Sequence, residues 1–451
     1  MSPQNPATVA STWSGQFQPP ESVPEQADVV IIGGGIVAVS TAWFLARQGV
    51  SVAVCEKGHI AGEQSGRNWG WVRVQGRDER EIPMMLEALR TWDSFREETG
   101  EDLGFSRHGC FFAARTAKQM ESFERWVEVA TNYGIDSRLL SATEIKAQVK
   151  GANVDWVGGV CTQSDGRAEP QIAAPAIARA AERAGAAVLT ACAVRGIETE
   201  RGHVSAVVTE HGPIRTSTVL CAAGAWSAMF CRSLGIALPQ LKVKGTVARL
   251  APCDSIFDGN LFDDQLGIRR RDDGGYTVAH GAILHHPMTP STLRWSLKFL
   301  PALLKEIKVL RPTFGKAFFD ELTAPSKWAL DAVSPFEQER VLDPAPSMRV
   351  VKGIRRNIDR IFPALSKVPI AESWGGIVET MPDVVPVIDA VSELPGFHIA
   401  TGFSGHGFGL GPGAGKAAAG LLTGTDTGID IAPLRRSRFF DGSPIELLST
   451  I

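Results

Sequence analysis

Ala27-Asp28-Val29-Val30-Ile31-Ile32-Gly33-Gly34-Gly35-Ile36-Val37-Ala38 is the stretch on which the fold turns. Its β-branched run reads as a strand buried on both faces of a parallel sheet. The residues after the glycines read as a helix to Arg47, ended by Gln48-Gly49. Val50-Ser51-Val52-Ala53-Val54-Cys55-Glu56 then reads as a second strand. This β-α-β unit has Gly33 and Gly35 at its tight turn, Ile36 and Val37 opening the helix, and Ala38 at the third small position. It is the pattern of a dinucleotide site, because glycine lets the backbone approach a pyrophosphate whose charge sits at the helix N-terminus. Glu56, ending the second strand, would accept both ribose hydroxyls and would repel a 2′-phosphate.

Composition bounds the rest. The chain has 451 residues, with 46 Lys+Arg against 49 Asp+Glu, so no basic footprint for nucleic acid exists. A hydrophobic fraction of 44% describes a globular protein, with length for about two or three domains. Glycine stands out at 46 residues, and 18 of these fall within 33–76 and 402–424. Seven cysteines without regular spacing, a Cys-x-x-Cys pair or a cluster with histidine argue against a disulfide scaffold or a metal site, and a reducing cytoplasm is the expected home. The first residues hold no Lys or Arg and no apolar run, so 1–26 reads as a flexible leader rather than a secretory signal.

Four further segments carry chemistry. Lys57-Gly58-His59-Ile60-Ala61-Gly62-Glu63-Gln64-Ser65-Gly66-Arg67-Asn68-Trp69-Gly70-Trp71-Val72-Arg73 is a long glycine- and serine-bearing loop directly after the acid. Asp165 to Pro170 precedes an alanine-rich helix, a strand at 187–190 and Ala193-Val194-Arg195. Val219 to Ser227, including Ala223, Gly224 and Trp226, is a second small-residue turn. Phe397-His398-Ile399-Ala400 is a strand leading into Thr401-Gly402-Phe403-Ser404-Gly405-His406-Gly407-Phe408-Gly409 and a helix at 414–422.

These segments resemble the D-amino-acid oxidase-like flavoproteins, which include glycine oxidase, sarcosine oxidase and the amino-acid dehydrogenases. The run from Glu56 to Ser65 and that from Arg195 to Ile214 look most like the Proteus-type L-amino-acid deaminases, with similarity over most of 28–440. The resemblance implies an α/β FAD-binding Rossmann-like domain of the glutathione-reductase type, interleaved with an α+β substrate domain built on an antiparallel sheet. Residues 27–105, 150–235 and 370–430 would form the first. Residues 106–149 and 236–369 would form the second, with an amphipathic insertion at about 285–345. The implied FAD would be non-covalent, since no cysteine follows Cys253 to tether it. Its contacts would be Gly33, Gly35, Ile36, Val37, Glu56, Lys57, Gln64, Ser65, Gly66, Arg67, Asn68, Val194, Ala223, Gly224, Trp226, Gly402, Gly405, His406, Gly407, Phe408 and Gly409. No metal is implied.

The substrate half speaks less clearly. An amine or amino acid needs orientation and a cation for its carboxylate. Arg73 and Arg271 are candidates, against the plain alternative of solvated arginines. His280 and His406 could take an amine proton or tune the cofactor, or could be satisfied locally. Where relatives carry a carboxylate-binding arginine, this chain has Val378-Glu379, and the deaminases' substrate arginine aligns with Gly281. The resemblance therefore implies C–N oxidation of an amino acid, an N-substituted or cyclic amino acid or an opine, with oxygen or a quinone as electron acceptor. A 2-hydroxy-acid dehydrogenase and a flavin-binding subunit of a larger dehydrogenase are the rival readings. Between 294 and 319, Arg294, Lys298, Lys305, Lys308, Arg311 and Lys316 alternate with leucines and aromatics. That pattern fits either peripheral contact with the inner face of the cell membrane or a packed lid.

Overall fold

The computed structural model describes residues 17, 19, 21–281, 283–307 and 309–448, apart from the Glu306 side chain; Lys308 and most of the leader lie outside them. The expected β-α-β unit is present as Val29–Ile32, Ile36–Ala46 and Val52–Cys55. Six strands build its sheet, in the order Val387–Ala390, Phe397–Thr401, Val219–Cys221, Val29–Ile32, Val52–Cys55, Ala187–Leu189. All neighbours run parallel except the edge strand Val387–Ala390.

Alternation along the first strand explains why it is apolar throughout. Val29 and Ile31 pack with the helices on one face, while Val30 and Ile32 pack with Val207 and Ile214 of a three-stranded antiparallel meander on the other. A strand covered twice has no position left for a polar residue. Phe17 joins the helical face and is buried, and its carbonyl accepts from Thr190 Oγ1, so the leader is anchored from that point.

Helix Gly407–Thr423 crosses both Ile36–Ala46 and Ile82–Thr99 at very short range. A Cβ at Gly415 would sit 2.4 Å from Ser40 Cβ, and one at Gly413 would sit 2.1 Å from the Met84 carbonyl. Each glycine costs the helix about 1 kcal/mol of propensity. The recovered packing is what brings the far end of the chain onto the amino-terminal unit.

The second sheet has ten strands, mostly antiparallel, with parallel pairs at Asn260–Asp263 with Cys110–Ala114 and at Leu284–Pro287 with Leu310–Thr313. Strand pairing moves two expected boundaries. Gly158–Thr162 pairs with Cys110–Ala114, and Ile370–Thr380 pairs along its length with Leu241–Leu250. Both segments were expected in the nucleotide domain, at 150–235 and 370–430, and both belong to the second sheet. Helix Met348–Ile361 lays Val350, Ile354, Ile358 and Ile361 on that sheet, the spacing of a one-sided apolar face. The insertion is not one long helix. Pro290–Trp295, Leu300–Glu306 and Lys316–Thr323 are separate, and Pro290 and Pro301 each sit in a first turn, where a missing N–H costs nothing.

Gly413→Ala should separate the crossing helices and lower stability by about 1–3 kcal/mol. Thermal unfolding measures this, and an unchanged Tm would show that the contact is not the tight one described.

Candidate active site

A cavity of about 1160 Å³ runs between the two sheets, from the glycines at 33–35 to the insertion. At its nucleotide end the backbone does most of the work. Gly33 has φ +111°, and a Cβ there would lie 2.6 Å from the Ala222 carbonyl, so the turn admits only glycine. The helix opening at Ile36 has no side-chain cap from Gly35, leaving free donors at its positive end. Ser65 Oγ takes one of them, accepting from Ile36 N–H at 2.9 Å.

Glu56 lies where the sequence placed it. Its oxygens accept from Gly34 N–H at 2.6 Å and from Gly58 N–H at 2.7 Å. Burial pushes this carboxyl up to about 7, against the pull of those N–H groups and of Lys57. Each oxygen keeps a lone pair for a hydroxyl. A glycine cradle, an uncapped helix end and a shaped carboxylate fit a dinucleotide.

Most of the predicted contacts share this one space: Gly33, Gly35, Ile36, Val37, Glu56, Lys57, Gln64, Ser65, Arg67, Asn68, Val194, Ala223, Gly224 and Trp226 from the first half, with Gly405, His406, Gly407 and Phe408 from the carboxyl-terminal loop. Several spend their polar atoms on the protein. Lys57 Nζ donates to Glu63 Oε1 at 2.9 Å and to the Glu339 and Arg340 carbonyls, above the Trp226 ring. Arg67 holds the Gly62 carbonyl and Asp343, and Asn68 holds the Gln64 and Ser65 carbonyls.

Other expectations are corrected. Gly66, Gly402 and Gly409 do not line the cavity. Their missing side chains instead admit the Ala61 carbonyl, Met381 and the Trp71–Val72 backbone. Arg271 lies elsewhere, in a surface crevice with Arg167 and Arg270. There it pairs with Asp273 at 3.0 Å and sits 3.9 Å from Glu169. It offers no cation to the cavity. Arg73, His280 and His406 do line it.

Three groups went unassigned in the sequence. Arg77, four residues after Arg73, is buried in the cavity wall; its Nε donates to the Arg73 carbonyl and its Nη1 has no partner. Burial, with Arg73 beside it, brings its pKa down to about 9. Glu81, buried beneath His406, shows no signal beyond its place at a helix start. Glu379, buried on the strand Ile370–Thr380, lines the cavity with Oε2 unpartnered, and burial raises it to about 7. Only the resemblance marked its position, as a missing arginine.

Residues 28–421 match the family described as FAD dependent oxidoreductase. The chain belongs to that family. Among solved structures, L-amino acid deaminase from Proteus myxofaciens, in complex with anthranilate, is 32% identical with a TM-score of 0.90, covering 94% of this chain and 97% of its own. L-proline dehydrogenase from P. horikoshii is 25% identical with a TM-score of 0.77, covering 94% and 100%. Sarcosine oxidase subunit beta of an Arthrobacter species is 24% identical over 93% of this chain and 92% of that one. Mitochondrial sarcosine dehydrogenase of Mus musculus is 26% identical over 89% of this chain, which spans 40% of that enzyme's length. The family is one of FAD-dependent oxidoreductases, and the glycine turn, the helix end at Ile36 and Glu56 fit that cofactor.

Glu56, Asp165 and Glu379 all stand at about 7 through burial, well above free carboxyls. The folded state therefore binds more protons than the unfolded state between roughly pH 4 and 7. These groups add stability as pH falls from 8 toward 5 and withdraw it as pH rises. Tm should follow that slope, and Glu379→Gln should flatten it and raise stability at pH 8 by about 3 kcal/mol at most, read as a higher Tm. A steeper slope in the variant would refute the assignment.

Proposed function

We propose that this protein oxidises the C–N bond of an amino acid or secondary amine, including N-substituted or cyclic amino acids and opines, to an imine that water then hydrolyses. The observation that carries this reading is a single cavity with a dinucleotide cradle at one end and Arg73, Arg77 and His406 further along its wall. Bound FAD supplies the hydride acceptor. Gly33, Gly35 and the Ile36 helix end would hold its pyrophosphate, and Glu56 its ribose. Gln64, Ser65, Gly224 and the Gly405–Phe408 loop would enclose its remainder. The attachment is non-covalent, and acid precipitation should leave a yellow supernatant.

Arg73 is the cation for the substrate carboxylate. Its guanidinium lies 5.3 Å from the Phe112 ring and donates to the Gln75 carbonyl, which fixes its direction and leaves donors over. The outer wall is apolar: Leu284, Met288, Phe299, Leu303 and Leu310 exclude water from the reacting carbon. Electrons then pass to oxygen or a quinone. Anaerobic bleaching of the flavin by a panel of amines and hydroxy acids tests the reaction. Amines should bleach it, and bleaching by hydroxy acids alone would overturn the reading. Arg73→Ala should raise KM about 10–100-fold for carboxylate-bearing substrates, the cost of one charge-assisted pair. An unchanged KM would remove Arg73 from the role.

The insertion supports a second expectation, peripheral contact of an otherwise cytoplasmic protein with the inner face of the cell membrane. Leu297 is 85% exposed and Phe314 79%, with Leu304, Ile307 and Phe319 also exposed beside Arg294, Lys305 and Lys316. Apolar side chains rimmed by cations suit an anionic interface. Among the described residues no helix is long and apolar enough to cross a membrane. Flotation with anionic liposomes at low salt should carry the protein upward, and failure to float would refute the contact.

A further inference from the structure

Glu81, which has no role above, pairs with His406, which the sequence offered as a proton acceptor or a cofactor-tuning group. Glu81 is 0% exposed, and its carboxylate oxygens lie 3.0 and 3.2 Å from His406 Nδ1. Each residue immediately precedes a helix, Glu81 that of Ile82–Thr99 and His406 that of Gly407–Thr423. These two helices pack together, so the pair is held from both sides by rigid elements. His406 also lines the cavity and keeps 21% of its side chain accessible.

The contact decides where the imidazole proton sits. A buried carboxylate accepts, so Nδ1 must donate, and a neutral ring then carries its lone pair on Nε2. Three charged groups act on this ring. Burial first of all holds His406 below the usual histidine range; Arg77 and Arg73 also oppose a positive charge on it, and Glu81 favours one. The positive end of its own helix acts in the same direction as burial. The ring is therefore a neutral base at pH 7, with a counter-charge already in place for the moment it becomes protonated.

We propose that His406, oriented by Glu81, takes the proton from the substrate's ammonium, so that the nitrogen is a neutral amine when the hydride leaves the adjacent carbon. This rests on the amine-oxidising reading above. An N–H bond of the ammonium breaks and its proton goes to Nε2, while the electron pair stays on nitrogen. That pair forms the C=N bond as the C–H bond gives its hydride to the bound flavin. His406 is then the catalytic residue and Glu81 a positioning residue. This order of events requires no deprotonated substrate from solution.

The test is anaerobic flavin bleaching by the most reactive amine of the panel, followed by stopped flow across pH 5.5–10 in the FAD-loaded protein. The wild type should lose rate only on the acid side of the usual histidine range, where His406 protonates. In His406→Gln the rate at pH 7 should fall about 10²–10⁴-fold. It should recover toward the substrate's own amine pKa as pH rises. In Glu81→Gln the acid limb should move to lower pH, since the carboxylate that favours the imidazolium is gone, with kcat reduced and KM little changed. Nitrogen-15 shifts of His406 in the wild type should report the proton on Nδ1, a readout that depends on no variant. Coincident pH profiles for wild type and His406→Gln, or a proton found on Nε2, would overturn the proposal. If amines bleach the wild type with an unaltered variant profile, only this proton route fails. If no amine bleaches it, the amine-oxidising reading fails with it.

Discussion

Everything in this molecule depends on one helix being able to touch two others where side chains would normally keep them apart. Gly413 and Gly415 let the helix Gly407–Thr423 lie against Met84 and Ser40. The segment that opens that helix, Gly405 to Phe408, is thereby set opposite the loop after Glu56. Neither loop alone encloses anything. Held together by this contact, they bound one cavity from opposite ends of the sequence. The glycine excess is thus partly a packing device and partly a cradle, and the two uses separate residue by residue. Gly33 is needed for its backbone angle, Gly413 for the atom it lacks.

The amino-terminal unit was legible because its signals are local. A β-branched run, a glycine turn and an acid at a fixed distance are properties of neighbours in sequence, and they locate Glu56 to the residue. The substrate half was less legible because its geometry comes from strand pairing across long separations. Ile370–Thr380 pairs with Leu241–Leu250, and nothing in either segment announces the other. Arg271 shows the limit well. Its sequence neighbourhood suited a substrate cation, yet strand order turns it toward Asp273 and Glu169 outside the cavity. Glu81 and Arg77 were missed for the opposite reason: the ends of the charged run Arg77-Asp78-Glu79-Arg80-Glu81 look like surface residues until burial is known.

Charge inside the cavity is nearly balanced, and the balance has a structure. Arg73, Arg77 and Glu81 stand around His406, with Asp165 beside Arg77, whereas Glu379 stands apart near Gln64 and Phe403. Low dielectric makes each of these groups sensitive to any ligand charge placed between them. The wall with Arg73 and Arg77 suits an anion, and that with Glu379 suits a hydrogen-bond donor. The apolar roof contributed by the insertion strengthens these forces by keeping water out.

The interleaved topology also has a consequence for how the protein is made. Gly33 leaves the ribosome early, but Phe408 follows only after the whole substrate half, roughly 20–75 s later at about 5–20 residues per second. During that interval the first strands and their glycine turn exist without the helix that covers them. Val29–Ile32 must wait for Val219–Cys221 as a neighbour, and that strand in turn waits for Phe397–Thr401. A nascent chain therefore leaves one edge of this apolar strand open until Val219–Cys221 emerges, and the two sides of the cavity meet only after Phe408 has been made.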